Sequence, residues 1–364
     1  MKNTFGNVVT LTVFGESHGG SVGCVIDGLA PGLAVEPEKI SHYLSLRRPA
    51  GAISTARQET DEFIIHSGVF QGKTTGTPIC ITIPNSDTRS RDYSATRFLA
   101  RPSHADYTAN CKYGGFEDYR GGGHQSGRIT AALVAAGGIL LPALERRGIL
   151  VGSHIAEIGG RKDRPFSLFC RDEILSVRDN PFAVLDPAAG ELMKEEILTA
   201  KGELDSVGGV IETAVCGLDA GIGEPWFDSL EGMLSHAVFS VPGVKGIEFG
   251  AGFSLAKMRG STANDQNEIK DGKVVTRTNN AGGINGGITN SMPVLFRTAV
   301  RPTPTIAREQ ETVDFSKMEN AVLASRGRHD PCIVHRARVV IDSVTALVLC
   351  DVLAGRYGTD WLAK

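Results

Sequence analysis

The stretch Gln125-Ser-Gly-Arg-Ile-Thr-Ala-Ala-Leu-Val-Ala-Ala-Gly-Gly-Ile-Leu-Leu-Pro-Ala-Leu-Glu-Arg146 decides the fold of this chain. Its central part is apolar on every side of a helix, with no polar face. Helices of that kind are buried on most sides. Residues 338–358 repeat the pattern. The sequence therefore predicts two core helices with other elements packed around both.

Runs rich in β-branched residues predict strands that can cover these helices. They occupy residues 8–14, 79–83, 207–217, 247–256 and 293–300. Strands and helices alternate irregularly, without the fixed period of a repeat protein. We therefore predict a layered α/β or α+β fold in which helices pack between β-sheets.

Proline marks three more helices, because it is favoured in the first turn of a helix. They are predicted at residues 38–47 after Pro37, from Asp186-Pro187 toward residue 200, and from Pro225 toward residue 239. The stretch 264–280 is polar and contains Asp271-Gly272, a dipeptide typical of tight hairpins. We predict a mobile excursion there, which could act as a lid.

The composition indicates a globular protein with a small-molecule partner. The 364 residues carry a formal net charge of -3, whereas proteins that mainly bind nucleic acid usually show a basic domain. Seven scattered cysteines, none in a C-x-x-C pair, fit neither a disulfide framework nor a zinc ribbon. The N-terminus lacks a signal-peptide pattern, and no apolar run of about 18 residues occurs. We predict a cytoplasmic protein without nucleic-acid or membrane partners.

Three distant segments place a histidine beside acidic or hydroxyl groups: Phe14-Gly-Glu-Ser-His-Gly19, Ser103-His-Ala-Asp-Tyr-Thr108 and Arg326-Gly-Arg-His-Asp-Pro-Cys332. Histidine exchanges protons near neutral pH, and glycine lets a backbone approach a ligand. Together they predict one polar site for acid/base chemistry on an anion. Singly they are ambiguous, because His18 could equally cap a turn. Asp330, the best candidate base, could instead form an Asx-turn before Pro331.

Positively charged groups cluster in the loops. Arg120-Gly-Gly-Gly-His124 leads into the predicted core helix, where free N–H groups and the helix dipole could bind a phosphate together with Arg128. The alternative is that the glycines only allow close packing and that Arg128 pairs with a surface acid. Other candidates are Arg47-Arg48, Arg57, Arg301-Pro-Thr-Pro-Thr305 and the arginines at positions 326, 328, 336 and 338. This favours a substrate with several anionic groups, phosphate plus carboxylates.

The same segments match a known family. Phe14 to Gly19, Arg101 to Thr108, Tyr119 to Gly123 and Gly327 to Cys332 resemble the signature blocks of chorismate synthase. Supporting stretches follow in family order: Arg47-Arg48-Pro49, Thr75-Gly-Thr-Pro78, Arg91-Asp-Tyr-Ser94, Val244-Lys-Gly246 and Asn280-Ala-Gly-Gly-Ile-Asn-Gly-Gly-Ile288. The resemblance implies one domain over residues 1–364, with the family's sandwich of helices between β-sheets, in a homotetramer.

The resemblance also implies the chemistry. The family converts 5-enolpyruvylshikimate 3-phosphate to chorismate and phosphate by a 1,4-trans elimination, the last common step of the shikimate pathway to aromatic amino acids. It requires reduced FMN, and NADPH is a possible reductant. By position, His18 would protonate the leaving phosphate, His104 would stabilise or protonate the reduced flavin near N1, and Asp330 would assist proton removal through flavin N5.

Binding roles follow by position as well. The resemblance implies FMN contacts for Arg47, His124, Gln125, Ser126, Pro242, Gly243, Gly286, Arg301, Pro302, Thr303, Pro304, Thr305 and Arg328. It implies that the substrate anions meet Arg47, Arg48, Arg57 and Arg128. No metal ligand is implied.

Two departures from the family pattern concern the cofactor. His124 and Ile129 stand where many members have arginine and glutamate, so altered FMN affinity with retained function is expected. An arginine associated with NADPH use is absent near Ile53, which leaves reduction of the flavin by NADPH open. Two other hypotheses remain: a non-catalytic anion- or nucleotide-binding protein, and a metal-dependent hydrolase using His18, His104 and His329 with Glu16 or Asp330.

Overall fold

The computed structural model describes residues 2–49, 51–55, 60–86, 96–324 and 330–363. Its α-helices are α1 Pro37–Arg47, α2 Asp106–Tyr113, α3 Thr130–Arg146, α4 Arg171–Val177, α5 Pro187–Gly202, α6 Leu230–Phe239, α7 Gly260–Ala263 and α8 Val334–Tyr357. Its strands are β1 Thr4–Phe5, β2 Thr10–Gly15, β3 Ser21–Asp27, β4 Ile64–Ile65, β5 Val69–Phe70, β6 Lys73–Thr74, β7 Ile79–Pro84, β8 Leu150–Ile158, β9 Arg161–Lys162, β10 Gly209–Cys216, β11 Val244–Phe249, β12 Asn267–Lys270, β13 Lys273–Thr276, β14 Ile284–Asn285, β15 Ile288–Thr289, β16 Val294–Val300, β17 Gln310–Asp314 and β18 Glu319–Leu323.

Two five-stranded antiparallel sheets enclose a layer of helices. The first sheet has the order β1-β2-β3-β7-β4 and the second the order β11-β16-β10-β8-β9. Helix α3 packs on α8 and α1 and contacts both β3 and β7 of the first sheet and β8 of the second. Helix α8 packs on β8 and β10 from the same layer. The predicted fold, with helices between β-sheets, is confirmed.

The two predicted core helices are buried as expected. A Cβ atom on Gly137 of α3 would lie 2.2 Å from Ser343 Oγ of α8, so only glycine permits this close approach. The stretch Gly127–Arg146 is long and apolar enough to cross a membrane by length and composition alone, but 89% of its most apolar window is buried inside the protein. Such burial is typical of a core helix.

Some predicted boundaries were wrong for local reasons. Pro225 does not begin a helix, because Trp226 and Asp228 adopt left-handed backbone angles (φ 76° and 60°), and α6 begins only after its cap Ser229. The strand predicted at 247–256 ends at Phe249, and a 3₁₀ turn over Gly252–Lys257 occupies the rest of the predicted range. Helix α8 begins at Val334, four residues before the predicted start at 338.

Other local predictions were confirmed. Asp186 caps α5 through a hydrogen bond from Ala188 N, and proline occupies the first turn of α5, as it does in α1. Strands β12 and β13 form the predicted hairpin, and both Asp271 and Gly272 have left-handed angles (φ 51° and 72°) at its two-residue turn. A lid role for this hairpin stays a prediction.

A buried histidine ties the second sheet to the loops beside it. His154 Nδ1 lies 3.1 Å from Asp163 Oδ2, and His154 Nε2 lies 3.0 Å from Glu212 Oε2. Burial alone would lower the pKa of His154, but hydrogen bonds to both carboxylates outweigh it and raise the pKa. Burial would likewise raise the pKa of Asp163, but hydrogen bonds from His154 and the Leu185 N–H lower it.

The pH dependence of stability follows from these directions. A raised histidine pKa stabilises the fold below the unfolded value of about 6.5, and this stabilisation is lost as pH rises through the folded pKa. We therefore expect the free energy of unfolding of wild type to decline, relative to that of His154→Gln, as pH rises from about 6.5 into the alkaline range. Urea unfolding across that range measures it. His42→Gln, at an exposed pair with Asp179, should retain the wild-type decline; equal declines in His154→Gln and wild type would contradict the assignment.

Candidate active site

The first histidine segment forms a tight turn at the end of β2. In this histidine turn, residues 16–19, Gly19 N donates to Glu16 O at 3.0 Å. Ser17 is fully buried, its N–H donates to Gly123 O at 3.1 Å, and its hydroxyl donates to Arg120 O at 3.1 Å. The Ser17 oxygen lies 3.2 Å from His18 Nδ1. Because the Ser17 proton is directed to a carbonyl, Ser17 Oγ accepts from the His18 Nδ1–H.

The triple glycine brings two histidine segments together. All three glycines have left-handed angles, with φ of 60°, 89° and 53°. A Cβ atom on Gly121 would lie 2.3 Å from His18 Cε1, and one on Gly122 would lie 3.1 Å from His104 Cε1. Both imidazoles therefore contact the glycine backbone. The segment does not enter α3 directly as predicted, since two 3₁₀ turns, residues 120–125 and 127–129, come first.

His104 is held by an acidic and a basic neighbour. Its Nδ1 lies 2.8 Å from Asp106 Oδ1, and Arg101 binds the same carboxylate through Nε and Nη2 at 2.8 and 2.6 Å. Burial would raise the pKa of Asp106, but hydrogen bonds from Arg101 and His104 hold it well below its ordinary range. Arg101 Nη2 also lies 3.1 Å from His104 Nδ1, but the contact with the ionised Asp106 is shorter and favours the His104 tautomer that carries its proton on Nδ1.

A buried carboxylate pairs two predicted substrate-binding arginines. Asp61 accepts from Arg47 Nη2 at 2.9 Å and from Arg128 Nη1. All three residues are at most 5% exposed. Burial lowers the pKa of Arg47 to about 10, although Asp61 opposes the shift, so Arg47 stays charged at neutral pH. Arg128 is thus paired with an acid, as the alternative interpretation held, but the acid is buried and shared rather than on the surface.

The proposed base lies beside this cluster. Asp330 is buried and forms an ion pair with Arg336 Nη1, while Arg336 Nε donates to Arg47 O at 2.8 Å. Asp330 Oδ1 is buried and finds no hydrogen-bond partner within the part of the chain that the structure describes. Burial raises the pKa of Asp330 above its ordinary value, and Arg336 only partly opposes this. Asp330 is therefore a more basic carboxylate than an exposed one.

The segment Arg301 to Thr305, which the resemblance assigns to FMN binding, follows β16 of the second sheet. Arg301 N donates to Gly243 O at 2.9 Å, and Thr303 O accepts from Ser206 Oγ at 2.7 Å. Val207 N donates to Pro331 O at 2.8 Å, which connects this segment to Asp330. Arg301 Nε and Thr303 Oγ1 are buried without a partner among residues 2–49, 51–55, 60–86, 96–324 and 330–363. These polar atoms fit a ligand with an anionic group.

The structure describes some of the remaining predicted site residues but not all of them. His124 Nδ1 donates to Gly15 O at 2.8 Å, Ser126 Oγ accepts from Arg128 N, and Gln125 lies between them. Arg48 donates to Thr60 O at 3.2 Å, next to Asp61. Around Arg301 lie the neighbouring predicted residues Pro242, Pro302, Pro304 and Thr305. Arg57 and Arg328, together with Arg326 and His329, lie outside the described residues.

Gly286 lies apart from the other predicted flavin contacts. Its neighbour Gly287 accepts from Leu230 N at the start of α6, whereas Pro242 and Gly243 follow the end of that helix. Strand β16 separates the two places, since Val300 pairs with Val244 at one end and Gly283 packs on Pro293 at the other. Within one chain, Gly286 and Gly243 are not brought together.

Comparison with known proteins decides the family. A family model described as "Chorismate synthase" matches residues 9–354. The chain belongs to the chorismate synthase family. Proteins named chorismate synthase from Thermococcus kodakarensis and Pyrococcus abyssi are 45% and 47% identical to it, over 99% and 96% of this chain and 99% and 97% of theirs. One from Dehalococcoides mccartyi is 46% identical over 98% of both chains.

A solved structure agrees with the family assignment. The "Crystal Structure of Chorismate Synthase" aligns with a TM-score of 0.78 at 29% identity, covering 98% of this chain and 95% of that one. The layered arrangement of sheets and helices in this chain is therefore that of a chorismate synthase.

Sequence reasoning missed two residues of this chorismate synthase site. Asp61, the shared partner of two arginines, and Asn85, which contacts Arg128, lie in no recognised motif. Metal ligation, the basis of one alternative hypothesis, has no candidate group of three His, Cys, Asp or Glu side chains within the residues that the structure describes.

Proposed function

We propose that the protein converts 5-enolpyruvylshikimate 3-phosphate to chorismate and phosphate by a 1,4-trans elimination. Family membership supports this assignment. The observation that carries it is a connected set of contacts. The triple glycine contacts His18 and His104, and Asn85 connects the His18 turn to the Arg47–Asp61–Arg128 cluster. Arg336 then connects Arg47 to Asp330. Acid, base and anion-binding groups are the parts that this elimination needs.

The residues present fit the phosphate group of FMN and the polar edge of its flavin ring. Left-handed glycines without Cβ atoms leave backbone accessible beside both histidines. Arg301 Nε and Thr303 Oγ1, which have no partner among the described residues, offer polar atoms for an anion. Reduced FMN, when bound, would supply transient electron density that helps the phosphate leave, because the C–H bond that is also broken is unactivated. We propose the contacts His124, Gln125, Ser126, Pro242, Gly243, Arg301, Pro302, Thr303, Pro304, Thr305, Arg328 and Arg47. Gly286 would join these contacts only if it came from a second subunit.

His18 acts as the acid in this proposal. Its Nδ1–H donates to Ser17 Oγ, so a proton transferred to a phosphate oxygen leaves from Nε2. The glycine contact holds the imidazole in place, and a fixed donor needs no reorientation during proton transfer. His104, oriented by Asp106, lies on the next glycine, where it would stabilise the reduced flavin.

Arg47 and Arg128 bind the substrate's anionic groups. Two guanidiniums share one carboxylate, so the Arg47–Asp61–Arg128 cluster carries a net positive charge that attracts phosphate and carboxylate. Arg48 lies next to it, and Arg57 is part of the proposed set. The Asp330 base benefits from burial, because a raised pKa brings a carboxylate nearer to the operating pH.

Further parts of the proposal concern the setting of the enzyme. All seven cysteines are free thiols, which supports a reducing compartment and hence the cytoplasm. We also propose a homotetramer without nucleic-acid or membrane partners. NADPH is a candidate reductant of the flavin in this proposal.

An anaerobic assay tests the function. Purified protein is mixed with 5-enolpyruvylshikimate 3-phosphate and chemically reduced FMN, and chorismate and phosphate are followed together. We expect equal release of both products; release with oxidised FMN plus NADPH would add a flavin reductase activity. Substrate binding without product would instead favour the non-catalytic hypothesis. Release of phosphate without chorismate, abolished by a chelator, would favour the metal-dependent hydrolase.

A further inference from the structure

Asn85, the first residue after β7, joins the histidine turn to Arg128. Asn85 is half-buried, and its Nδ2 donates to the carbonyl oxygens of Glu16 and Gly19, both at 2.9 Å. Its Oδ1 accepts from Arg128 Nε at 2.9 Å. One side chain therefore holds both ends of the turn that carries His18 and one edge of a buried guanidinium.

Only one orientation of this amide satisfies all its contacts. Carbonyl oxygens accept and a guanidinium donates, so the NH₂ group must face the turn and the oxygen must face Arg128. Alanine would remove all three hydrogen bonds. Aspartate would keep the acceptor for Arg128 but direct an oxygen at the carbonyls of Glu16 and Gly19. Among side chains of this size, asparagine alone fits both partners.

Arg128 is fixed from the same strand end. Its Nη2 donates to Pro84 O at 3.1 Å, next to the Asn85 contact, and its Nη1 pairs with Asp61. Strand pairing places the turn opposite, since Ser21 is paired with Pro84 and Asn85 N donates to Gly20 O at 3.2 Å. The end of β7 thus sets the position of Arg128 and of the histidine turn together.

We propose that Asn85 is a positioning residue that fixes the spacing between the His18 imidazole and the Arg128 guanidinium. This inference rests on the proposed function, in which both groups act on the anionic groups of one substrate. A displacement of about 1 Å in such a pair can cost on the order of 100-fold in rate. Asn85 touches neither substrate nor cofactor in this role; it acts through the two groups that do.

Kinetics of Asn85→Ala and Asn85→Asp test the proposal. Both variants lose the donation to the turn, so we expect kcat to fall on the order of 100-fold in each, with a much smaller change in KM. Asn280→Ala is the matched control, because Asn280 is also half-buried and its Nδ2 donates to two carbonyls of one turn, Thr262 and Ala263. The control should keep wild-type kcat. A kcat loss in Asn85→Ala no larger than in Asn280→Ala would overturn the proposal.

A second readout does not depend on turnover. Histidines labelled with ¹³C report the His18 resonance, identified by its loss in His18→Ala, while inorganic phosphate is titrated into the flavin-free protein. We expect phosphate to shift this resonance in wild type and in Asn280→Ala. In Asn85→Ala, the same shift should require a phosphate concentration on the order of ten-fold higher. An unchanged titration in Asn85→Ala overturns the positioning role. If wild type makes no chorismate, the proposed function fails, and this titration still decides the role of Asn85.

Discussion

Replacing Asp61 with asparagine lowers the free energy of unfolding by about 3–5 kcal/mol, because it leaves two buried guanidiniums without their shared counter-charge. Arg47 and Arg128 are 5% and 4% exposed, and both bind this carboxylate. Asparagine keeps the size of the side chain and tolerates the left-handed angle of Asp61 (φ 53°), so the change removes little but charge. Urea unfolding at neutral pH measures the loss.

Asp271→Asn is the matched control for this prediction. Asp271 also has a left-handed angle (φ 51°) but lies exposed at the tip of the β12–β13 hairpin. Its replacement should change the free energy of unfolding by less than about 0.5 kcal/mol. Equal stability of the Asp61→Asn and Asp271→Asn proteins would show that the arginines find other counter-charges.

Acid provides an independent check on Asp61. Burial would raise the pKa of Asp61, but Arg47 and Arg128 together lower it. A depressed pKa contributes stability above the unfolded value of about 3.9, and this contribution is lost as pH falls through the folded pKa. The stability gap between wild type and Asp61→Asn should therefore narrow only below about pH 4. A gap that narrows near neutral pH would point to a different titrating group.

The fold was predictable where its physical signal is repeated along the sequence. An apolar pattern on all sides of residues 130–144 indicates burial whatever the rest of the chain does, and the structure confirms it for α3. The Pro225 boundary failed because Trp226 and Asp228 take backbone angles that side-chain pattern does not reveal. The residues on either side of this stretch, Glu224 and Ser229, pack against Gly287, a contact made across more than fifty residues of sequence that the local pattern does not reveal.

The site was predictable where unusual residue types cluster. Glycine triplets and histidines beside hydroxyl groups are rare enough to mark residues 16–19 and 120–124, and these segments do meet. Asp61 and Asn85 carry no such signal, because a lone acid or amide resembles any surface residue. Their partner Arg128 is 67 and 43 residues away, so only the folded chain reveals the pairing.

Replacing Asp330 with asparagine, or His18 with glutamine, should lower kcat by about 10²–10⁴-fold while leaving FMN and substrate binding largely intact. Asparagine cannot accept a proton, and glutamine cannot donate one to a departing phosphate. Steady-state assays with pre-reduced FMN measure kcat, and flavin and substrate titrations measure binding. Asp27→Asn and His66→Gln are the controls, because both residues are exposed. Asp27 lies on β3, which pairs with the strand that precedes the histidine turn, and His66 contacts Thr82 of the same sheet.

The pH profile separates the two roles. Asp330 must be ionised to act as the base, and burial raises its pKa, so wild-type kcat should fall on the acid side at a pH above the ordinary carboxyl value of about 3.9. That acid limb should disappear from the residual activity of Asp330→Asn and persist in His18→Gln. If the acid limb persists in Asp330→Asn, a group other than Asp330 acts as the base. Wild-type turnover in His18→Gln would remove the acid role from His18, because the contact of His18 with Gly121 would then serve packing alone.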